Sequence, residues 1–432
     1  MRGRTLRACA LLVALAGFLV IGGGSAIAHG DDGTTLVVDD DLACPSADHP
    51  TIQAAVDAAP PGSTIYVCPG VYDEQVEIAK SLEIVGKDFG NQDAPIVRPV
   101  AATPNSTSLT SGNPITAVIV ADHAKDVEIE GLTVDGSTAG PHNGCATQLV
   151  GIFYRNTSGE IEHNAVRNVN LGTGLEGCQS GQGIFVQSGN GKYSNVEIKQ
   201  NTLHEYQKTG ILANEIGTNV DVAGNTVSGL GVSPIIAQNG IQIGWGAKGD
   251  VHHNSVINHL YGPCVSTTVC GAVATNVLVF GPDADTRAKD VSVYENVLGK
   301  AQVNVYFEAD KSKVEKNLIF DTDVFDGIYV PGNSNRIHGN TINTSDESAI
   351  WLDGTKNQVS WNVVNETPEG IHDEAGGNSI GYNAFYNVVA KRTPAPTALN
   401  TTALATPTAE VEEVTLVGLP SLTAPTASEV RP

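Results

Sequence analysis

The chain has 432 residues, with 24 Lys and Arg against 47 Asp and Glu, a net charge of −23. A chain this acidic, without a basic stripe, excludes nucleic acid as a partner. Residues 1–28 read as a secretion signal: Arg2, Arg4 and Arg7 lead an apolar run from Ala8 to Val20, and Ala26-Ile27-Ala28 offers a cleavage site before His29. No other apolar run approaches the ~20 residues of a membrane span. The expectation is an exported chain, not membrane-spanning, with 21 basic and 47 acidic side chains after the signal, a net of −26.

Residues 29–114 form the expected N-terminal cap and first rungs. Between Cys44 and Cys68, Ile52, Ala55, Val56 and Ala59 share one helical face, and Pro60-Pro61-Gly62 stops the helix. A short amphipathic helix here would cover the open end of whatever follows. Six cysteines remain after the signal, an even number suited to an oxidising compartment.

Residues 115–390 carry a short repeat, clearest at its C-terminal end. Ile328, Ile350 and Ile371 lie 22 and 21 residues apart, and Asn340, Asn362 and Asn383 follow each by twelve. Each repeat holds strands of three to five residues bounded by Gly, Asn, Ser or Asp, too short to fold alone. Stacked as coils of a right-handed single-chain parallel β-helix, each residue pairs with its equivalent one turn along, ~4.8 Å away. The asparagine column extends back through Asn317, Asn296, Asn254, Asn225, Asn201 and Asn164. The aliphatic column runs through Val305, Val277, Ile241, Ile211, Ile184 and Ile152. Asparagine suits the left-handed backbone of a tight turn, and its amide can bond the next in a ladder. Nine asparagines in one phase argue against a β-sandwich. The same phase places Cys145 and Cys178 together on adjacent rungs. Cys264 and Cys270 would close one loop, leaving Cys44 with Cys68. From 391 to 432 the periodicity is lost in a Pro/Thr/Ala-rich tail.

The run TIQAAVDAAPPGSTIYVCPGVYDEQVEIAKSLEIVG resembles the opening of right-handed parallel β-helix proteins of the pectin-lyase-like superfamily. Gly70, Tyr72 and Glu74 match a G-x-Y-x-E of its pectin methylesterase branch. The repeats from 115 to 390 are similar to NosD-like and carbohydrate-binding β-helix repeats. The resemblance spans roughly four fifths of the chain after the signal; it implies the fold and leaves function open. The polygalacturonase set (N-T-D, D-D, G-H-G, R-I-K) and the methylesterase set (Q-A-V-A, D-F-I-F-G, L-G-R-P-W) are not found as sets. The epimerase D-P-H-D has only Ile371-His372-Asp373-Glu374 as a distant counterpart.

Candidate sites therefore come from geometry. The residue after each column aliphatic reads Phe153, Phe185, Leu212, Gln242, Leu278, Tyr306, Tyr329, Trp351, His372. Tyr306, Tyr329, Trp351 and His372 form an outward stripe of rings, able to stack on sugar faces or simply to stabilise a sheet. Two residues further on, Glu308, Asp353 and Glu374 are the candidate catalytic acids, carboxylates one or two rungs apart. Closely stacked carboxylates could equally attract Ca²⁺ or be solvated edge charge. His252-His253 sits at the surface beside a ladder asparagine. Two functional classes fit a monomeric chain: an exported protein binding or processing a polysaccharide or cell-surface glycan, or a non-enzymatic adhesive β-helix with a structural stripe. If it is an enzyme, a polysaccharide lyase or glycoside hydrolase is expected.

Overall fold

The computed structural model describes residues 33–393 apart from 42–43, 88–93, 141, 143, 147, 265–271 and 282. The expected signal and nearly all of the expected tail lie outside these residues. The chain winds as a parallel coil with three faces. Sheet 1 has 13 strands, from Thr35–Val38 to Ser379–Gly381; sheet 2 has 12, from Val71–Tyr72 to Ala384–Tyr386; sheet 3 has 12 parallel strands from Val76–Ile78 to Ala390–Thr393, with Ser106–Thr107 added antiparallel as a thirteenth.

The aliphatic column is continuous in sheet 3: Ile119, Ile152, Ile184, Ile211, Ile241, Val277, Val305, Ile328, Ile350 and Ile371 pair in unbroken register. All are at most 1% exposed and fill the interior of the coil. Each contributes the ~1.5–3 kcal/mol typical of a fully buried aliphatic side chain. Strict alternation nevertheless breaks just before this column. A Cβ added to Gly151 would meet Val166 and Val169 inside the coil, and Ala349 is buried beside Ile350. Two consecutive residues thus face inward, and the residue two before each aliphatic faces outward. Val150 accordingly clusters with Phe153 outside the main core.

The asparagine ladder runs through all nine predicted positions. Asn340 donates its backbone N–H and its Nδ2 to Asn362 Oδ1, both at 2.9 Å, and Nδ2 also donates to the Val314 carbonyl. Its own Oδ1 accepts from Asn317 in the same way. The turn geometry differs from expectation, because the left-handed residue is the one before each asparagine. His163, Gln200, His253, Glu295, Lys316, Trp361 and Tyr382 hold φ between 53° and 60° there. The asparagine itself is needed for its amide. A second ladder joins Asn335, Asn357 and Asn378, each donating Nδ2 to a carbonyl of the turn before. Asn335 directly precedes strand Arg336–His338. Asn340→Ala should cost at least ~2 kcal/mol, since it strands buried donors and an acceptor at ~1–3 kcal/mol each. Asn333 is unsuited as a surface comparison, because its Oδ1 accepts from Thr355. Exposed Asn170→Ala should stay within about 0.5 kcal/mol. Equal unfolding midpoints in urea for both variants would contradict a buried ladder.

Cys44 pairs with Cys68 and Cys145 with Cys178, at Cα separations of 6.6 and 5.1 Å. Cys264 is disulfide-bonded; its expected partner Cys270 lies outside the described residues. Helix Ile52–Ala58 buries Ile52, Ala55 and Val56 and is N-capped by Thr51. Glu74 accepts from the Ile52 and Gln53 N–H groups at 2.7 and 2.8 Å, and Tyr72 donates to the Cys68 carbonyl. Glu74 of the Gly70–Tyr72–Glu74 motif therefore anchors the helix N-terminus. The helix packs against Thr35–Val38, Ser63–Val67 and Val76–Ile78, and the outermost strand of sheet 1 is Thr35–Val38.

Candidate functional site

The outer face of sheet 3 divides into two halves. On the N-terminal turns, Phe153, Phe185 and Leu212 are buried with Ile115, Ala117, Val120 and Val150 in a separate apolar cluster. The segment around Ser106–Thr107 crosses them. The Leu109 N–H donates to Gln187 Oε1 at 2.8 Å, and Arg155 Nε donates to the Thr107 carbonyl at 2.9 Å. From Tyr306 onward the face is partly open, and Tyr306, Tyr329, Trp351 and His372 follow one another in register.

Two ring contacts organise this open half. Tyr306 and Tyr329 meet edge-on at 5.0 Å, and Trp351 stacks on His372 at 3.8 Å with 25° between planes. The Tyr329 hydroxyl donates to Asp353 Oδ2 at 2.5 Å. His372 contacts Glu369 through Nδ1 at 3.1 Å and Glu374 through Nε2 at 2.9 Å. Burial alone would lower the His372 pKa, but the Glu374 hydrogen bond and the Glu369 carboxylate outweigh it and raise it. Burial raises the Tyr306 hydroxyl to about 12, helped by the charges of Glu308 and Asp353.

The three predicted acids occupy one outward column but have different partners. Glu308 is held by Arg287 at 3.2 Å, Asp353 by Tyr329, and Glu374 by His372. Arg287 arrives from a loop, so a basic side chain does reach this face, although Glu308 and Asp310 flank it. Burial and the positive charge of Arg287 oppose each other at Glu308, and the net shift is upward.

Strict alternation concealed a further acid, Asp326. It is 4% exposed, two residues before Ile328, in the outward column shared with Ser348 and Glu369. Burial, with Glu347 and Glu369 nearby, pushes its carboxyl well above the usual range, against a hydrogen bond from the Ser348 N–H. A carboxyl raised in this way is protonated where ordinary carboxyls are ionised. The open face therefore combines a buried carboxyl held above its usual range, a carboxyl oriented by a tyrosine, and a floor of rings.

Other features compete for attention. A groove of about 730 Å³ lies beside sheet 1 and is lined by His123, Asn156, Glu160, Tyr193, Glu197 and Asp221 among others. Its acids belong to a ladder of Glu83, Glu128, Glu160, Glu197, Asp221 and Asp250 on successive turns. Burial and neighbouring carboxylates raise Glu128. Tyr193 is the one aromatic ring besides His123 in that lining. Trp361 and Tyr382, 61% and 59% exposed, stack at 5.3 Å on the turn that carries the left-handed column. Among the described residues, three groups could supply three metal donors: Glu130/Glu162/His163, Asp39/Asp40/Asp41 and Glu128/Glu160/Glu162.

This is a right-handed parallel β-helix repeat protein of pectin-lyase-like fold. Residues 283–406 match the family described as periplasmic copper-binding protein (NosD). The GH136 lacto-N-biosidase from Eubacterium ramulus is similar in structure, with TM-score 0.55 and 11% identity over 82% of this chain and 68% of that one. The DFA-IIIase from Arthrobacter chlorophenolicus A6 without its lid gives TM-score 0.46 and 14% identity over 78% and 92%. No curated protein matches the sequence. The two disulfides suit an oxidising, extracytoplasmic compartment. Among the described residues no helix is long and apolar enough to cross a membrane.

Proposed function

We propose that this is an exported glycan-binding and glycan-processing protein whose site is the open outer face of sheet 3 from Tyr306 to His372. The observation that carries this reading is the partition of one face. The same outward column is sealed by a loop over Phe153, Phe185 and Leu212 on its N-terminal turns and left open at Tyr306, Tyr329, Trp351 and His372, whose rings carry polar atoms and have acids beside them. Sugar rings stack their apolar faces on aromatics while flanking polar groups fix the hydroxyls. In processing, Asp326 is the proton donor and Asp353, oriented by Tyr329, is the base or nucleophile. Glu308 and Glu374 hold Arg287 and His372 in place. The GH136 lacto-N-biosidase, an enzyme on a similar fold, supports a glycan as the ligand.

The charge of the face selects the glycan. Glu347, Asp353, Glu369 and Glu374 outnumber Arg287 and His372, so a polyuronate would need bridging Ca²⁺, whereas a neutral glycan would not. A polysaccharide array at neutral pH, with and without chelator, tests this. Retention of neutral oligosaccharides is expected, and tight chelator-resistant binding to polygalacturonate alone would contradict it. In calorimetric titrations with a retained oligosaccharide, Trp351→Ala and Tyr329→Ala should each weaken binding by roughly 1–2 kcal/mol through lost stacking. Unchanged affinity in both, with loss in Trp361→Ala, would move the site to the exposed turn.

A further inference from the structure

The connections from sheet 3 to sheet 1 are three residues long where Arg155 leads to Gly159, Asn214 to Thr218 and Gly244 to Lys248. Between Gln187 and Ser194 there are six, residues 188–193. The extra length lifts Tyr193 off the coil. Its side chain is 76% exposed, more than any other phenylalanine, tyrosine or tryptophan among the described residues. The loop is nevertheless fixed. Asn190 and Gly191 take left-handed backbone, φ 57° and 72°, and the Lys192 N–H closes the turn onto the Gly189 carbonyl at 3.1 Å. Ser188 Oγ donates to Ser194 Oγ at 2.9 Å. Two turns earlier, residues 123–126 make the facing wall, and the short turn through Asn156 and Ser158 lies between as a floor. Walls two turns apart stand ~10 Å from backbone to backbone, room for a single chain of rings.

Asn156, buried at the floor, ties the two walls together. Its Nδ2 donates to His123 Nε2 at 3.2 Å, and its Oδ1 accepts from the Gly189 N–H at 2.9 Å. The groove of about 730 Å³ is thus built before a ligand arrives, and little ordering opposes binding. Its charges balance, Lys125 and Lys192 against Asp126 and Glu160, and among the described residues none of these four side chains makes a hydrogen bond or ion pair. Glu197 and Asp221, further along, are matched by Lys199 and His252. A divalent ion or a polyanion calls for one sign of charge. A hydroxyl both donates and accepts, and is met by ammonium donors beside carboxylate acceptors. We propose that this groove is a second glycan site, taking a neutral oligosaccharide with one ring against Tyr193 and its hydroxyls on Lys125, Lys192 and Glu160. The groove shares no residue with the sheet 3 face, and its role is to hold a glycan chain, not to cleave it. Only the class of ligand rests on the glycan reading of that face.

Calorimetric titration of the full chain with neutral tetrasaccharides of glucose, mannose, xylose, galactose or N-acetylglucosamine, short enough to occupy one site at a time, should give two bound equivalents for at least one of them. Tyr193→Ala should weaken one equivalent about fivefold or more, and Trp351→Ala the other alone. Glu160→Gln should weaken the same equivalent as Tyr193→Ala, about threefold or more, by removing a charged acceptor. Both groove side chains lack hydrogen-bond partners, so the variants should melt with the parent. Two equivalents unchanged in both Tyr193→Ala and Glu160→Gln, or a single parent equivalent that only Trp351→Ala weakens, would overturn this site and leave the sheet 3 reading standing. A single equivalent that only Tyr193→Ala weakens would support the groove and overturn the sheet 3 reading. A parent chain that binds none of the five sugars would overturn both.

Discussion

Asp326→Asn is expected to lose at least 100-fold of any turnover on a bound glycan while leaving the protein folded and, above neutral pH, more stable than the parent. The loss follows from the usual 10²–10⁴-fold contribution of a positioned proton donor. Folding is retained because Asn Oδ1 can still accept from the Ser348 N–H, the bond Asp326 makes at 3.1 Å. The gain in stability follows from linkage. The Asp326 carboxyl titrates above its unfolded value, so the folded chain binds the proton more tightly than the unfolded chain. Its contribution is greatest below the ordinary carboxylate range and declines as pH rises through the raised folded pKa. Asparagine has no such decline. The melting temperatures of parent and variant should thus converge near pH 4 and separate upward, with the variant higher. A variant that melts lower at every pH would show Asp326 to be an ordinary ionised, stabilising carboxylate.

The second large effect is acid sensitivity built around His259. This side chain is fully buried inside the coil, with Nε2 accepting from the Tyr206 hydroxyl and Nδ1 donating to Asn276 Oδ1 at 2.6 Å. The chain of contacts continues from Asn276 Nδ2 to Asn304 Oδ1 and from Asn304 Nδ2 to Thr322 Oγ1. Burial pushes the His259 pKa down to about 4, only partly offset by the Asn276 hydrogen bond. Between about pH 6.5 and 4 the unfolded chain therefore takes up a proton that the folded chain refuses. Stability falls as pH drops through that window, by about 3 kcal/mol in all. Urea unfolding at pH 7 and pH 4 should show this loss in the parent chain. The double substitution Tyr206→Phe/His259→Leu should remove most of it, whatever its own effect at pH 7. An undiminished acid loss in the double variant would place the sensitivity elsewhere.

The parts legible in the sequence were those where one chemical type recurs at one phase. Ile152 to Ile371 must fill the same interior slot on each turn, and Asn164 to Asn383 must bond the next amide, so neither column tolerates much variety. The left-handed position before each asparagine is different. It demands a backbone conformation and leaves the side chain in solvent, so histidine, glutamate, lysine and tryptophan all occur there and no column stands out. Asp326 was hidden because alternation was carried one residue too far; inward Gly327 shifts the parity. The fixed offset of Asp326, Ser348 and Glu369 from the column isoleucines was the available signal. Arg287 and the segment over Phe153 and Phe185 come from loops, whose path over a sheet no strand periodicity encodes.

The central claim concerns which face meets the glycan, and the three tryptophans, Trp245, Trp351 and Trp361, report on it separately. Trp245 packs edge-on to Phe280 at 5.6 Å, Trp351 lies on the proposed floor, and Trp361 is on the exposed turn with Tyr382. Fluorine NMR of protein labelled with 5-fluorotryptophan, titrated with an oligosaccharide retained on the array, would follow all three at once. The Trp351 resonance should shift with ligand concentration while that of Trp361 stays in place. A titration that moves Trp361 and leaves Trp351 unmoved would contradict the assignment of the sheet 3 face.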